Sequence, residues 1–131
     1  MVPVPVALGL ILCEKVIVEK GTEAVSLIGT FNRFQSETLP ITPYPFYVFA
    51  TLTGGYGDAT IHLTITRLET DEEIFAWQRE IHFPDRFTEI DIRFHLESCE
   101  FDAEGIYLFN LLVDGDWVAH RRVKVHLPEK L

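Results

Sequence analysis

The dipeptide Asp114-Gly115, set between two apolar runs in GIYLFNLLVDGDWVAHRRVKVHL (residues 105–127), limits what this chain can fold into more than any other feature. A type I′ turn needs positive φ at both central residues and Gly supplies one without strain, so Asp-Gly between β-prone runs predicts a long hairpin. Its register is open at this level. A two-residue loop pairs Val113 with Asp116 and Leu112 with Trp117, whereas a three-residue loop with a glycine bulge pairs Leu112 with Asp116 and Leu111 with Trp117. A slip of one residue exchanges the faces. After the turn, Trp117, Ala119, Arg121, Val123, Val125 and Leu127 alternate with Val118, His120, Arg122, Lys124 and His126. One face is mostly apolar and the other mostly charged, with Arg121 the misfit. Before the turn, Ile106 to Val113 is apolar on both faces apart from Asn110, which predicts a strand inside a sheet and not at its edge.

The rest of the chain reads in the same way. Leu8 to Leu12 and Val16 to Glu19, the polar turn Lys20-Gly21-Thr22-Glu23, and Ala24 to Phe31 predict strand, turn, strand. Periodicity lapses from Asn32 to Pro45, where Pro40, Pro43 and Pro45 make a stiff extended connection of the kind that crosses between two sheets. Phe46 to Thr53 turns Tyr47 and Phe49 to one side and Phe46, Val48, Ala50 and Leu52 to the other. Beyond the loop Gly54-Gly55-Tyr56-Gly57-Asp58, which reads as a hairpin loop, Thr60, His62, Thr64 and Thr66 alternate with Ile61, Leu63, Ile65 and Arg67. Ile74 to Phe83 approximates helical spacing through Ile74, Trp77, Gln78 and Ile81, and strand alternation through Phe75, Trp77, Ile81 and Phe83 with Arg79 out of place. Strand is adopted, because Pro84-Asp85 truncates the run and its neighbours are β. Thr88 to Leu96 alternates with Ile90, Ile92, Phe94 and Leu96 inward.

These elements predict an all-β fold: a two-sheet antiparallel β-sandwich, immunoglobulin-like, of about eight or nine strands in one domain over residues 1–131. Gly105-Ile106-Tyr107 adds to this, since it resembles the Gly-x-Tyr start of a late strand in immunoglobulin-like sandwiches, where the Tyr hydroxyl ties a corner to nearby backbone. At 131 residues with 47% hydrophobic and 12% aromatic content, the chain has enough apolar mass for a core without a metal or disulfide staple. Twenty acidic against eleven basic residues give a formal charge of −9, which opposes the counterion release that drives nucleic-acid binding; no nucleic-acid partner is expected. No segment approaches the roughly 20 apolar residues of a membrane helix, so no membrane partner is expected either. The run Val6 to Cys13 looks superficially like a signal segment ending in a lipoprotein cysteine. Leu12 precedes that cysteine and no Lys or Arg comes before the run, so export is not expected. Cys13 and Cys99 are then read as two reduced, buried thiols in a cytoplasmic protein.

No catalytic constellation is visible. Ser26, Ser36 and Ser98 lie outside any nucleophile-elbow context, and the two cysteines sit among apolar or acidic neighbours that raise a thiol pKa. His62, His82, His95, His120 and His126 lack ligand spacing; His120 and His126 share a face about 20 Å apart along one strand, too far to chelate one ion. No cofactor and no metal are expected. Asp71-Glu72-Glu73 and Asp114-Gly115-Asp116 read as turns, not calcium loops.

The order of motifs, Cys13-Glu14 with Val16-Ile17-Val18, Val25-Ser26-Leu27-Ile28-Gly29, Leu52-Thr53-Gly54-Gly55 with Gly57, Phe83-Pro84-Asp85 and the closing Gly105-x-Tyr107 with Val113-Asp114-Gly115, resembles an uncharacterised family of small bacterial proteins, a domain of unknown function. The resemblance implies a stand-alone β-sandwich and carries no site residues. The functional expectation from the residues is a non-enzymatic protein-interaction domain, binding a protein partner or itself, because Tyr44, Tyr47, Tyr56 and Trp117 exceed what one core absorbs. The alternative is a small-ligand or carbohydrate-binding sandwich using Gly54, Gly55, Tyr56, Gly57 and Asp58, with Tyr56 stacking on a ring; an uncharacterised hydrolase ranks third.

Overall fold

The computed structural model describes residues 4–128. Its elements are β1 (Val6–Val18), β2 (Val25–Phe31), β3 (Arg33–Gln35), β4 (Phe46–Thr53), β5 (Gly57–Arg67), β6 (Glu73–Phe83), β7 (Ile90–Leu96), β8 (Gly105–Val113) and β9 (Asp116–His126). There is no helix among the described residues. The strands form two sheets, one ordered β2-β1-β4-β7 and the other β3-β9-β8-β5-β6, the second curled into a half-barrel.

Each buried face follows from period-two alternation. In β4 the residues Phe46, Val48, Ala50 and Leu52 point inward while Tyr47 and Phe49 are half-buried on the other side. In β7 it is Ile92, Phe94 and Leu96 that are buried, and in β5 Ala59, Ile61, Leu63 and Ile65. These meet the inner row of β8, Tyr107, Phe109, Leu111 and Val113, in one core to which both sheets contribute. β8 is the middle strand of its sheet, hydrogen-bonded to β5 and β9, as its two apolar faces require.

The β8–β9 hairpin closes through a two-residue turn, with Val113 opposite Asp116 and Leu112 opposite Trp117, and positive φ at both Asp114 (48°) and Gly115 (86°). A bulge follows at once, so that Leu111 pairs with Ala119 and Val118 is the extra residue. The bulge resets the alternation. Trp117 therefore leaves the apolar row in which strict alternation puts it and stands 61% exposed, while Ala119, Arg121, Val123 and Val125 continue inward. Arg121 is accommodated because its guanidinium reaches across to the first sheet and donates to the Leu10 carbonyl at 3.2 Å. Arg79 of β6 is an analogous inward cation. It sits 5.2 Å from the Phe94 ring centroid and donates to the Arg93 carbonyl, which lets β6 be a strand despite the misfit.

Two further expectations are corrected. The sheets are not wholly antiparallel: at Asn32 the chain leaves the first sheet, and β3 runs parallel to β9 with Arg33 opposite Lys124. The driving residue is Phe34, buried against Phe31, Phe46 and Phe101 with ring centroids 5.1 to 5.2 Å apart. The second correction concerns Gly54 to Gly57, which is not a hairpin loop. It carries the chain from β4 in one sheet to β5 in the other.

β1 and β2 continue beyond the end of β4. Past Cys13, which faces Tyr47, residues Lys15 to Val18 pair only with Val25 to Ile28 and form a two-stranded arm. β2 (VSLIGTF) is an outer strand of its sheet and contains no charge and no proline.

The corner leading into β8 is tied by Tyr107, whose buried ring places its hydroxyl 2.8 Å from the Ala103 carbonyl as donor. Burial also pushes the phenol pKa upward, with the nearby Arg67 opposing in part. Tyr107→Phe is expected to lower stability by about 1 kcal/mol, the net value of one such hydrogen bond, in chemical denaturation with an unchanged m-value.

Candidate interaction site at one end of the two sheets

Three connections come together at one end by register. The β4–β5 crossing begins after Thr53, which pairs with Val6, and ends at Gly57, which pairs with Phe83. The β6–β7 connection begins after Phe83 and ends at Ile90, which pairs with Leu52. The β8–β9 turn lies beside Thr60 of β5.

Hydrogen bonds lock these loops. Gly54, at φ 84°, donates its N–H to the Arg86 carbonyl at 3.1 Å and so joins the first two connections. Asp85 Oδ1 accepts from the N–H groups of Phe87 (2.8 Å) and Thr88 (2.7 Å) and from the Thr88 hydroxyl (2.9 Å), which holds its carboxyl below the usual range. Asp114 donates its N–H to the Thr60 carbonyl, and its carboxylate accepts the Thr60 N–H, both at 2.9 Å. Asp58 and His82, opposite each other on β5 and β6, lie 2.7 Å apart, Oδ1 to Nδ1. Gly55 is buried where the crossing passes over Phe83, and a Cβ there would come within 2.6 Å of the Phe83 ring.

On this fixed frame stand three aromatic side chains. Tyr56 is 64% exposed in the first connection, Phe87 is 91% exposed in the second, and Trp117 follows the third. Val4, Val6 and Leu8, exposed at the start of the chain's described part, lie at the same end. Of the five residues singled out in the sequence, Tyr56 and Asp58 are exposed, Asp58 in contact with His82, while Gly54, Gly55 and Gly57 shape the loop. Sequence reading missed Phe87, since a single Phe in a polar stretch carries no periodic signal.

Tyr47 is half-buried and stacks on His95 at 4.4 Å, while Tyr44 is 93% exposed at the other end. There, Glu14, Lys15, Phe31, Arg33, Phe34 and Tyr44, with Pro43 and Pro45, line an open cleft of about 740 Å³. A second hollow of about 510 Å³ lies between β6 and β7 and is lined by Trp77, His95, Glu97 and Ser98. His95 Nδ1 is 3.4 Å from the Glu97 carboxylate, and no hydrogen bond joins His95 to Ser98 among the described residues. Cys13 and Cys99 are free and buried, and burial raises both thiols, Cys99 to about 11. A thiol so shifted is a poor nucleophile near neutral pH. The histidines are dispersed, and among the described residues no group of three or more His, Cys, Asp or Glu is placed to hold a metal.

The sequence profile of a family of unknown function, DUF6941, matches residues 8–126. The chain belongs to that family. No match is found among functionally curated proteins. Among solved structures, the fold is similar to part of Pseudomonas fluorescens alkylpurine DNA glycosylase AlkC bound to DNA containing an abasic site analog, at a TM-score of 0.53 and 8% identity. The likeness covers 93% of this chain and 30% of that one, and at such identity it speaks for fold alone. No helix among the described residues is long and apolar enough to cross a membrane.

Gly55→Ala is expected to cost about 1 to 3 kcal/mol, because the new methyl must displace a buried ring. A lowered denaturation midpoint checks it, and an unshifted one would mean that Phe83 has room to yield.

Proposed function

We propose that this protein is a non-enzymatic protein-interaction domain of the immunoglobulin-like type, docking a protein partner through the loop end that carries Tyr56, Phe87 and Trp117. The fold assignment is supported by the Tyr107–Ala103 bond at the corner before β8 and by the division of β4 and β7 from β5, β8 and β9 between two sheets. In that architecture the three connections correspond to the loop end that variable domains use for recognition.

The functional reading rests on one observation: Tyr56 and Phe87 are held out in solvent on loops that are themselves tied by backbone hydrogen bonds, with Trp117 exposed at the start of β9. Exposed aromatics cost solubility, and rigid loops lose little entropy on binding, so the combination favours a docking surface. Two unpaired buried thiols suit a reducing compartment, in keeping with a cytoplasmic protein.

Small-ligand binding is the second reading, and the 740 Å³ cleft favours it. Its volume falls in the range of ligand sites, and Phe31, Pro43 and Tyr44 offer apolar contact beside the charges of Lys15 and Arg33.

The two readings separate experimentally. Tyr56→Ala/Phe87→Ala should leave the thermal midpoint within a few degrees while abolishing recovery of a specific partner from native cells. Identical recovery with the double variant would refute the loop-end reading. A ligand bound in the cleft would instead raise the midpoint by mass action and be lost with Arg33→Ala.

A further inference from the structure

We propose that the outward face of β3, β9 and β8 is a second docking surface, one that binds an acidic, leucine-containing segment of a partner protein.

Past the bulge at Val118, the outward residues of β9 are His120, Arg122, Lys124 and His126, with Trp117 at the turn end of the same face. The parallel pairing of β3 adds Arg33 directly opposite Lys124. Arg33, Arg122 and Lys124 are exposed, and among the described residues none has a carboxylate within 4.0 Å, the ion pairs there being Arg67–Glu69, His82–Asp58 and His95–Glu97. In a chain of formal charge −9, this is a patch of the opposite sign without an ion pair among the described residues. The carboxylates nearest in register lie at its ends: Asp116 at the turn, and Glu104, whose Oε1 accepts the Leu127 N–H at 2.7 Å.

Beside the cations, about 4.8 Å away across the ladder, runs the outward row of β8, with Ile106, Leu108 and Leu112 half-buried and Asn110 between them. Asn110 is 2% exposed. Its Nδ2 donates to Thr64 Oγ1 at 3.3 Å and Thr66 Oγ1 at 3.2 Å, on the β5 side, while Oδ1 accepts no hydrogen bond from the protein.

Cations spaced by two residues along a strand repeat every ~7 Å, as do alternate side chains of an extended peptide. Carboxylates on such a peptide therefore match Arg122 and Lys124 in turn, and leucines fall on the β8 row. An acidic protein segment is favoured over nucleic acid because the long-range field of the whole chain repels a polyanion, while a short segment with few charges feels chiefly the local patch. This surface is independent of Tyr56 and Phe87.

The test titrates isotope-labelled protein with an eight-residue peptide of alternating glutamate and leucine, read by amide chemical shifts. Shifts should be confined to β3, β8 and β9. Arg122→Glu/Lys124→Glu should weaken binding at least tenfold, Arg33→Glu should weaken it severalfold, and Arg93→Glu on the outer face of the other sheet should leave it within twofold. The Arg33 variant serves if the double variant fails to fold. No shifts at millimolar peptide, or unchanged affinity in the charge-reversed variants, would overturn the proposal. So would a single-stranded oligonucleotide that moves the same amides at lower concentration than the peptide. Tyr56→Ala/Phe87→Ala should not alter the titration, which keeps this outcome separate from that of the loop end.

Discussion

Burial of the inner row of β8 is the contact on which the remaining structure depends. Tyr107, Phe109, Leu111 and Val113 form the middle of the five-stranded sheet and face the inner rows of β4 and β7. Each such side chain contributes roughly 1.5 to 3 kcal/mol by leaving water, and the row holds its place only because β5 and β9 satisfy its backbone on both sides. The Phe31, Phe34, Phe46 and Phe101 cluster closes one end of this core, and Phe83 beneath Gly55 closes the other. Loop geometry is therefore set from below: the crossing that presents Tyr56 runs where Phe83 leaves it space.

How much of this is legible in the letters depends on how local each cause is. Alternation in β4, β5 and β7 sorts inward from outward residues correctly because those strands are regular and half-buried. Asp114-Gly115 fixes the turn, yet it does not reveal the bulge at Val118, and so Trp117 is assigned to the wrong face. β3 escapes notice because three residues carry no period, and its parallel pairing with β9 joins segments about 90 positions apart. The same separation hides the basic patch: Arg33 and Lys124 are neighbours only after folding. Tyr56 is visible as an aromatic in a glycine loop, whereas Phe87 gains meaning only from its exposure.

The loop end and the β3–β9–β8 face are the two surfaces proposed for this protein. Both surfaces are built on rigid parts, the first on hydrogen-bonded loops and the second on strand register. They differ in physics. The loop end offers apolar area and would bind with little dependence on salt, while the strand face offers charge and would be screened over about 8 Å at physiological ionic strength. A protein with two such surfaces can join partners that do not themselves touch.

The outer strand β2 raises a different matter. Most sheet borders carry a lysine, a proline or a bulge that discourages another chain from adding on, and VSLIGTF carries no charge and no proline. Restraint against aggregation then falls to the mutual repulsion of molecules bearing a formal charge of −9. That repulsion fades as acid brings the molecule toward its isoelectric point near 4.9. Apart from the kink at Gly29, whose φ is 68°, solubility at this border thus depends on bulk proton concentration.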